Sequence, residues 1–205
     1  MKNKLVFILF ILILLSQSTT NAETQTDEEK AITSAQKLIK ASVSVETGLV
    51  TGGSGFYISP DTVITNEHVV RNMPTDTLTL RKKSGYTCTG TVGYREEKLD
   101  LAIIHSSCTS DTVLTLNIDV TEGQTVLAFG SPQVYPFTLS KGIVSSLSWN
   151  MIQFDAKVTF GSSGGVLANL NGEVIGVVSK GAKDVEYVGF AIKAADVKRF
   201  YERSK

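Results

Sequence analysis

The sequence predicts an all-β fold, a barrel or a sandwich, with one short helix before it and one after it. Three observations carry this prediction. Short β-rich runs follow one another from Ser42 to about residue 192, most of them separated by Gly, Pro, Asn, Asp or Ser clusters such as Gly52-Gly53-Ser54, Ser59-Pro60-Asp61 and Asn171-Gly172. Apolar residues alternate with polar ones where the first run begins, Val43 and Val45 against Ser44 and Glu46, which is the period of a half-buried strand. Helical spacing is confined to the two ends.

Taken in order, residues 23–30 are polar and acidic and read as a disordered lead-in. Ile32, Ala35, Leu38 and Ile39 then recur at helical spacing within 28–41, predicting an amphipathic helix whose stripe docks on a core. The predicted strands are 55–58, 62–65, 77–82, 86–93, 99–105, 125–129, 138–147, 151–159, 173–179 and 187–192. Residues 194–203 place Val197, Phe200 and Tyr201 on one face of a terminal helix. There is no internal repeat, no low-complexity segment and no long linker.

The chain has 205 residues, enough for one domain with a full core or two tightly packed halves, and balances 20 basic against 20 acidic residues. That balance points to no nucleic-acid or membrane-surface partner. Lys2 and Lys4 precede an unbroken apolar run from Leu5 to Leu15, too short to span a bilayer and suited to a signal-peptide core. Cleavage after Ala22 is expected, giving a signal peptide at 1–22 and a single domain at 23–205 that is periplasmic or extracellular, with no stable membrane association. An uncleaved anchor is the other reading. Export gives the two cysteines, Cys88 and Cys108, an oxidising compartment. An even count in an exported chain favours a disulfide over two free buried thiols. The two flank an expected hairpin of 86–93 with 99–105, turning near Arg95 to Lys98.

Three segments carry chemistry. Phe160-Gly161-Ser162-Ser163-Gly164-Gly165 is a serine turn with glycines on both sides, where backbone can approach a carbonyl closely. His68, in Thr65-Asn66-Glu67-His68-Val69-Val70, follows a strand and is one of two histidines. The other, His105, has no catalytic context and reads as structural or surface. Asp100 heads the apolar run Leu101-Ala102-Ile103-Ile104, where a carboxylate needs a partner to be buried. Nucleophilic hydrolysis requires an exposed serine, a histidine to take its proton, a carboxylate to orient that histidine, and backbone N–H groups for the oxyanion. Singly, each segment also fits a plain Gly-Ser loop, an exposed histidine or a turn-capping aspartate. No ligand cluster suggests a metal, and no cofactor is expected.

Together these segments resemble chymotrypsin-fold serine peptidases, and within them the bacterial HtrA/Deg-like group. Thr65 to Val70 is similar to that group's histidine motif, Asp100-Leu101-Ala102-Ile103 to its aspartate motif, and Gly161 to Gly165 to its serine motif. Gly130-Ser131-Pro132, Ser140 to Ser145, Gly172 to Ser179 and Gly189 to Ile192 fall in the same order, so the resemblance covers about residues 31–203. It implies a two-barrel Greek-key fold, with a first barrel at about 42–115 and a second at about 120–193. It also implies a serine endopeptidase acting on polypeptides through an acyl-enzyme. In that reading His68 is base and acid, Asp100 orients it, Ser163 is the nucleophile, and the N–H groups of Gly161 and Ser163 form the oxyanion hole. Ser179, Lys180 and Gly181 pair with substrate backbone, and Val158 lies at the base of the primary pocket.

Ser162 departs from the Asn usual in the group, and Val166 from the Pro. Neither the trypsin-type Asp nor an activation start is present, so zymogen activation is not expected. The group's PDZ domain is not in this sequence. The pocket stretches Ala156 to Phe160 and Val178 to Gly181 hold no acidic residue, so nothing there is placed to bind Lys or Arg at the cleaved position. The resemblance, with Val158 at the pocket base, implies small or medium aliphatic residues there. An acidic residue is the alternative if Lys157 or Lys180 points inward. The oligomeric state and natural substrate are not legible. The competing functional reading is a catalytically silent module that binds extended peptides by strand addition.

Overall fold

The computed structural model describes residues 25–48, 52–132, 135–181 and 187–205. The leader at 1–22 lies outside the described residues. The first element is helix α1 (Asp27–Ala41), and a capping box sets where it begins: Glu29 N–H donates to Thr26 Oγ1 at 3.2 Å and Thr26 N–H donates to Glu29 Oε2 at 2.9 Å. Asp27, Glu28 and Glu29 in its first turn and Lys40 in its last suit the helix dipole. The buried face runs through Ser34, Leu38 and Ala41, with Ala31 packed against the core. Ile32 is exposed. The docking stripe is therefore rotated away from the one the apolar spacing suggested, because Ser34 finds an acceptor, the Leu170 carbonyl, at 2.6 Å.

Two closed barrels follow. The first contains β1 (Ser42–Glu46), β2 (Gly53–Ser59), β3 (Thr62–Thr65), β4 (Thr77–Arg81), β5 (Thr87–Glu96) and β6 (Leu101–Ser106), in the order β1-β2-β3-β6-β5-β4 with β4 closing on β1. The second contains β7 (Thr125–Gly130), β8 (Thr138–Leu147), β9 (Met151–Phe154), β10 (Val166–Ala168), β11 (Val174–Gly181) and β12 (Gly189–Lys193), in the order β10-β11-β12-β9-β8-β7 with β7 closing on β10. A one-turn helix, α2 (Glu67–Val70), follows β3, and α3 (Ala194–Arg203) ends the fold. The expected two-barrel chymotrypsin-like architecture with terminal helices is the one observed.

Some strand limits differ from those expected, and one difference has a clear local cause. The expected strand 151–159 ends at Phe154 because the Asp155 carboxylate takes the Ile143 N–H at 2.6 Å, replacing a ladder acceptor with a side chain. Strand β10, three residues long, was not among the expected strands. The second-barrel strand expected at 187–192 begins at Gly189.

Each barrel has its own core. Val43, Val45, Tyr57, Val63, Leu80, Ala102 and Ile104 fill the first, and Val126, Ile152, Phe154, Leu167, Ile175 and Ala191 the second. A third cluster fills the seam: Phe56, Ile64, Leu101 and Ile103 from one barrel meet Phe129, Val166 and Val177 from the other, with Leu38, Val197 and Phe200 from the two terminal helices. Strand β6 thus sends Ala102 and Ile104 inward and Leu101 and Ile103 into the seam. Burial on both faces explains why it reads as a continuous apolar run. At about 1.5–3 kcal/mol for each fully buried large side chain, the seam is what fixes one barrel on the other.

Cys88 at the start of β5 and Cys108 beyond the end of β6 form a disulfide, Cα–Cα 5.8 Å, across a sequence separation of 20. It ties the ends of the β5–β6 ladder, whose other end carries Asp100. Replacing both cysteines with serine should lower unfolding stability by about 3 kcal/mol, the loop-closure entropy restored to the unfolded chain. A chemical denaturation midpoint checks this, and the unreduced native protein should take up no maleimide.

Candidate active site

The site lies where the seam opens to solvent, in a cleft of about 1360 Å³ whose lining includes His68, Asp100, Val158, Ser163, Ser179 and Gly181. His68 is carried by α2, directly after β3. Val69 and Val70 pin the helix to the first core. Arg71 Nε donates to the buried Glu67 carboxylate at 2.7 Å. The imidazole remains 39% exposed.

Asp100 caps the 3-10 turn Glu97–Leu99 in the left-handed conformation, φ 54°, which aspartate tolerates better than most residues. Asn66 Nδ2 donates to its carbonyl at 2.9 Å and holds it there. Its carboxylate then faces His68. His68 Nδ1 lies 2.8 Å from Oδ1 and 2.9 Å from Oδ2, and the His68 backbone N–H donates to Oδ1 at 3.0 Å. Ser179 Oγ, from the second barrel, donates to Oδ2 at 2.9 Å. Burial pushes this carboxyl up, but the hydrogen bonds from the His68 ring and backbone and from Ser179, with the histidine's charge, outweigh it and hold Asp100 below its ordinary value.

Ser179 sits at a bulge: the β11–β12 register shifts between Val178 and Lys180. The bulge aims both its hydroxyl and its carbonyl out of the ladder. The carbonyl accepts the Ser163 hydroxyl at 2.8 Å. Here the structure differs from the simplest expectation: Ser163 Oγ rests on Ser179 rather than on His68. Beyond Val178, which exchanges backbone bonds with Gly164 and Gly165, β11 extends past β10, and that edge has no backbone partner among the described residues. Lys180 and Gly181 pair on the other side with Phe190 and Gly189.

The serine turn is built from the backbone. Ser162 N–H donates to the Thr159 carbonyl at 3.0 Å, with Gly161 at φ 95°, as a type II turn requires at its third residue. Ser162 Oγ accepts the Thr159 N–H at 3.2 Å. The N–H groups of Gly161 and Ser163 donate to no acceptor among the described residues. Gly164 has φ 83°, and a Cβ there would lie 2.1 Å from the Ser54 carbonyl.

That contact points to a residue the sequence reading did not single out. Ser54, on β2 of the first barrel, is buried and ties the serine turn to that barrel. Its N–H donates to the Ser163 carbonyl at 2.7 Å, its hydroxyl donates to the Gly161 carbonyl at 2.8 Å, and that hydroxyl accepts the Ser131 N–H at 2.7 Å. Thr65 Oγ1 donates to the Ser54 carbonyl at 2.7 Å. A serine between two glycines gives no sequence signal for this role.

Around the turn, Val158 and Thr159 line the cleft, and among the described residues the acidic ones lining it are Asp100 and Asp196. Lys157 lines an adjoining cavity of about 390 Å³ that shares Val158, Thr159, Ser162 and Val178 with the cleft. His105 is exposed on β6 and packs over Gly93. Among the described residues there is no cluster able to hold a metal ion.

Two outcomes follow from these contacts. Ser54→Ala leaves the Gly161 carbonyl and Ser131 N–H unpaired, and should cost about 1–3 kcal/mol in denaturant unfolding. Asp100 contributes stability that is complete above the free carboxyl value of about 4 and is lost as pH falls through its lower folded-state value. The stability gap between the protein and its Asp100→Asn variant should therefore shrink from pH 6 to pH 2 in a denaturation series.

Comparison with known proteins places this geometry. The family described as "Trypsin-like peptidase domain" matches residues 53–177. The mitochondrial serine protease HTRA2 of Drosophila grimshawi is 36% identical over 167 residues, 74% of this chain and 39% of that protein, and that of Drosophila willistoni is 36% identical over 74% and 38%. The chain thus spans about two fifths of the length of these curated relatives. Among solved structures, a serine endoprotease from Yersinia pestis superposes with a TM-score of 0.78 at 28% identity, covering 88% of this chain and 67% of that one. An inactive form of the Rv3671c protease from M. tuberculosis H37Rv superposes with a TM-score of 0.74 at 27% identity, covering 83% and 89%. The chain belongs to the trypsin-like peptidase domain family and is of the HtrA type.

Proposed function

We propose that this protein is a serine endopeptidase that cleaves polypeptides through an acyl-enzyme, with Ser163, His68 and Asp100 as its triad. The observation that carries the reading is the 2.8 Å contact of His68 Nδ1 with Asp100, in the same cleft as Ser163. Asp100 fixes the proton on Nδ1 and leaves Nε2 bare to accept one. An extended substrate adds to the open edge of β11, and its N–H takes the Ser179 carbonyl in place of the Ser163 hydroxyl. A turn about one side-chain bond between staggered wells then brings Ser163 Oγ to His68.

Ser163 Oγ attacks the scissile carbonyl carbon as its proton passes to His68 Nε2. The N–H groups of Gly161 and Ser163 receive the oxyanion. Collapse breaks the C–N bond, and His68 returns the proton to the leaving amine. Water, deprotonated by the same nitrogen, then hydrolyses the ester and restores Ser163. Val158 and Gly181 line the cleft with the nucleophile, and this apolar lining favours an aliphatic residue at the cleaved position. The apolar leader at 1–22 and the disulfide favour action in the cell envelope or outside the cell.

The protein should be labelled by a fluorophosphonate at Ser163 and should cleave a peptide library after aliphatic residues. Ser163→Ala should abolish both labelling and turnover. His68→Ala should cost nearly as much turnover, and the double variant little more, because the groups act as a unit. Full turnover by Ser163→Ala would remove the assignment. A folded wild type that binds peptides but is never labelled would be a silent binding module.

A further inference from the structure

Trp149 is the only tryptophan in the chain, and it is 92% exposed. It stands at the tip of the β8–β9 hairpin. A tight turn holds that tip: Ser148 N–H donates to the Met151 carbonyl at 3.1 Å, and Met151 N–H donates to Ser148 Oγ at 3.0 Å. The backbone beneath the indole is thus fixed before anything binds. The tip lines the same cleft as His68 and Ser163, and Leu99, Met151 and Ile192 line the cleft with it. Each of these three is packed against the seam core. A large aromatic side chain left in water on a held backbone turn, in the same cleft as the nucleophile, has the character of a binding hot spot.

Resting on the endopeptidase reading, we propose that Trp149 is a specificity-determining platform of the cleft. It receives an apolar or aromatic side chain of an extended polypeptide, several residues away from the scissile bond. The occupant is the substrate rather than a second copy of the chain, because the indole opens into the catalytic cleft. The enzyme then selects long, apolar-bearing segments over short ones, and a substrate too short to reach the hairpin tip gains nothing from it.

The single tryptophan gives a direct readout. The Ser163→Ala protein is titrated with a tryptophan-free ten-residue peptide drawn from the library cleaved by the wild type, and with a four-residue peptide centred on the same bond. The long peptide should shift Trp149 emission to shorter wavelength; the short one should bind without doing so. In the otherwise wild-type enzyme, Trp149→Ala should raise KM for the long peptide about tenfold with kcat little changed. KM for the short peptide and the rate of fluorophosphonate labelling should not move, and Trp149→Phe should recover most of the loss. Unchanged emission on calorimetrically verified binding of the long peptide would overturn the proposal, as would an unchanged KM in Trp149→Ala. A blue shift that grows with protein concentration in the absence of peptide would overturn it in favour of self-association. Absence of labelling in the wild-type protein would instead strike the peptidase reading, and this proposal with it.

Discussion

One carboxylate joins the two barrels at the point where they open. Asp100 belongs to the first barrel, at the head of β6, and accepts from His68 of that barrel and from Ser179 of the second. A partly buried carboxylate is tolerable only when its oxygens are hydrogen-bonded, so its partners are constrained to meet it. Their meeting fixes the spacing across the cleft. The left-handed backbone at Asp100, the Asn66 amide that holds it and the bulge that turns Ser179 out of its ladder are local departures from regular structure. All three serve that single junction, and departures of this kind concentrate where function over-determines the backbone.

The second tie across the seam is made of neutral hydrogen bonds. Ser54 holds the carbonyls of Gly161 and Ser163, and so sets the face that the serine turn presents. Among the described residues the N–H groups of Gly161 and Ser163 have no acceptor. In the proposed mechanism these donors receive the oxyanion, and donors already in place need not reorient when charge develops. Catalytic geometry in this account is a property of the seam. Neither barrel alone holds His68, Asp100, Ser163 and Ser179 together.

Much of this was legible in the sequence, for reasons that differ from residue to residue. Asp100 stood out because an acid at the head of Leu101-Ala102-Ile103-Ile104 needs a partner, and Ser163 because glycines flank it. The strands were readable wherever alternation or turn residues marked them. Features made by tertiary contact were not readable. Ser54 is one small residue in a Gly-Ser-Gly run, and its four hydrogen bonds come from segments up to 109 residues away. Ile32 fits the helical stripe by apolarity but faces solvent, because Ser34 and Ala41 set the docking face. Strand 151–159 stopped early because the Asp155 side chain, not the backbone, takes the next donor. The resting position of the Ser163 hydroxyl depends on which acceptor lies nearer, and spacing along a chain does not encode that.

The central claim is that Asp100 dictates the proton position on His68. Nitrogen-15 resonances of the histidine rings measure that position directly. With two histidines in the chain, the His68→Ala spectrum assigns the remaining signals. In the neutral ring, the account predicts a protonated Nδ1 and an unprotonated Nε2, with this preference lost in Asp100→Ala. A neutral His68 that carries its proton on Nε2 in the native protein would contradict it.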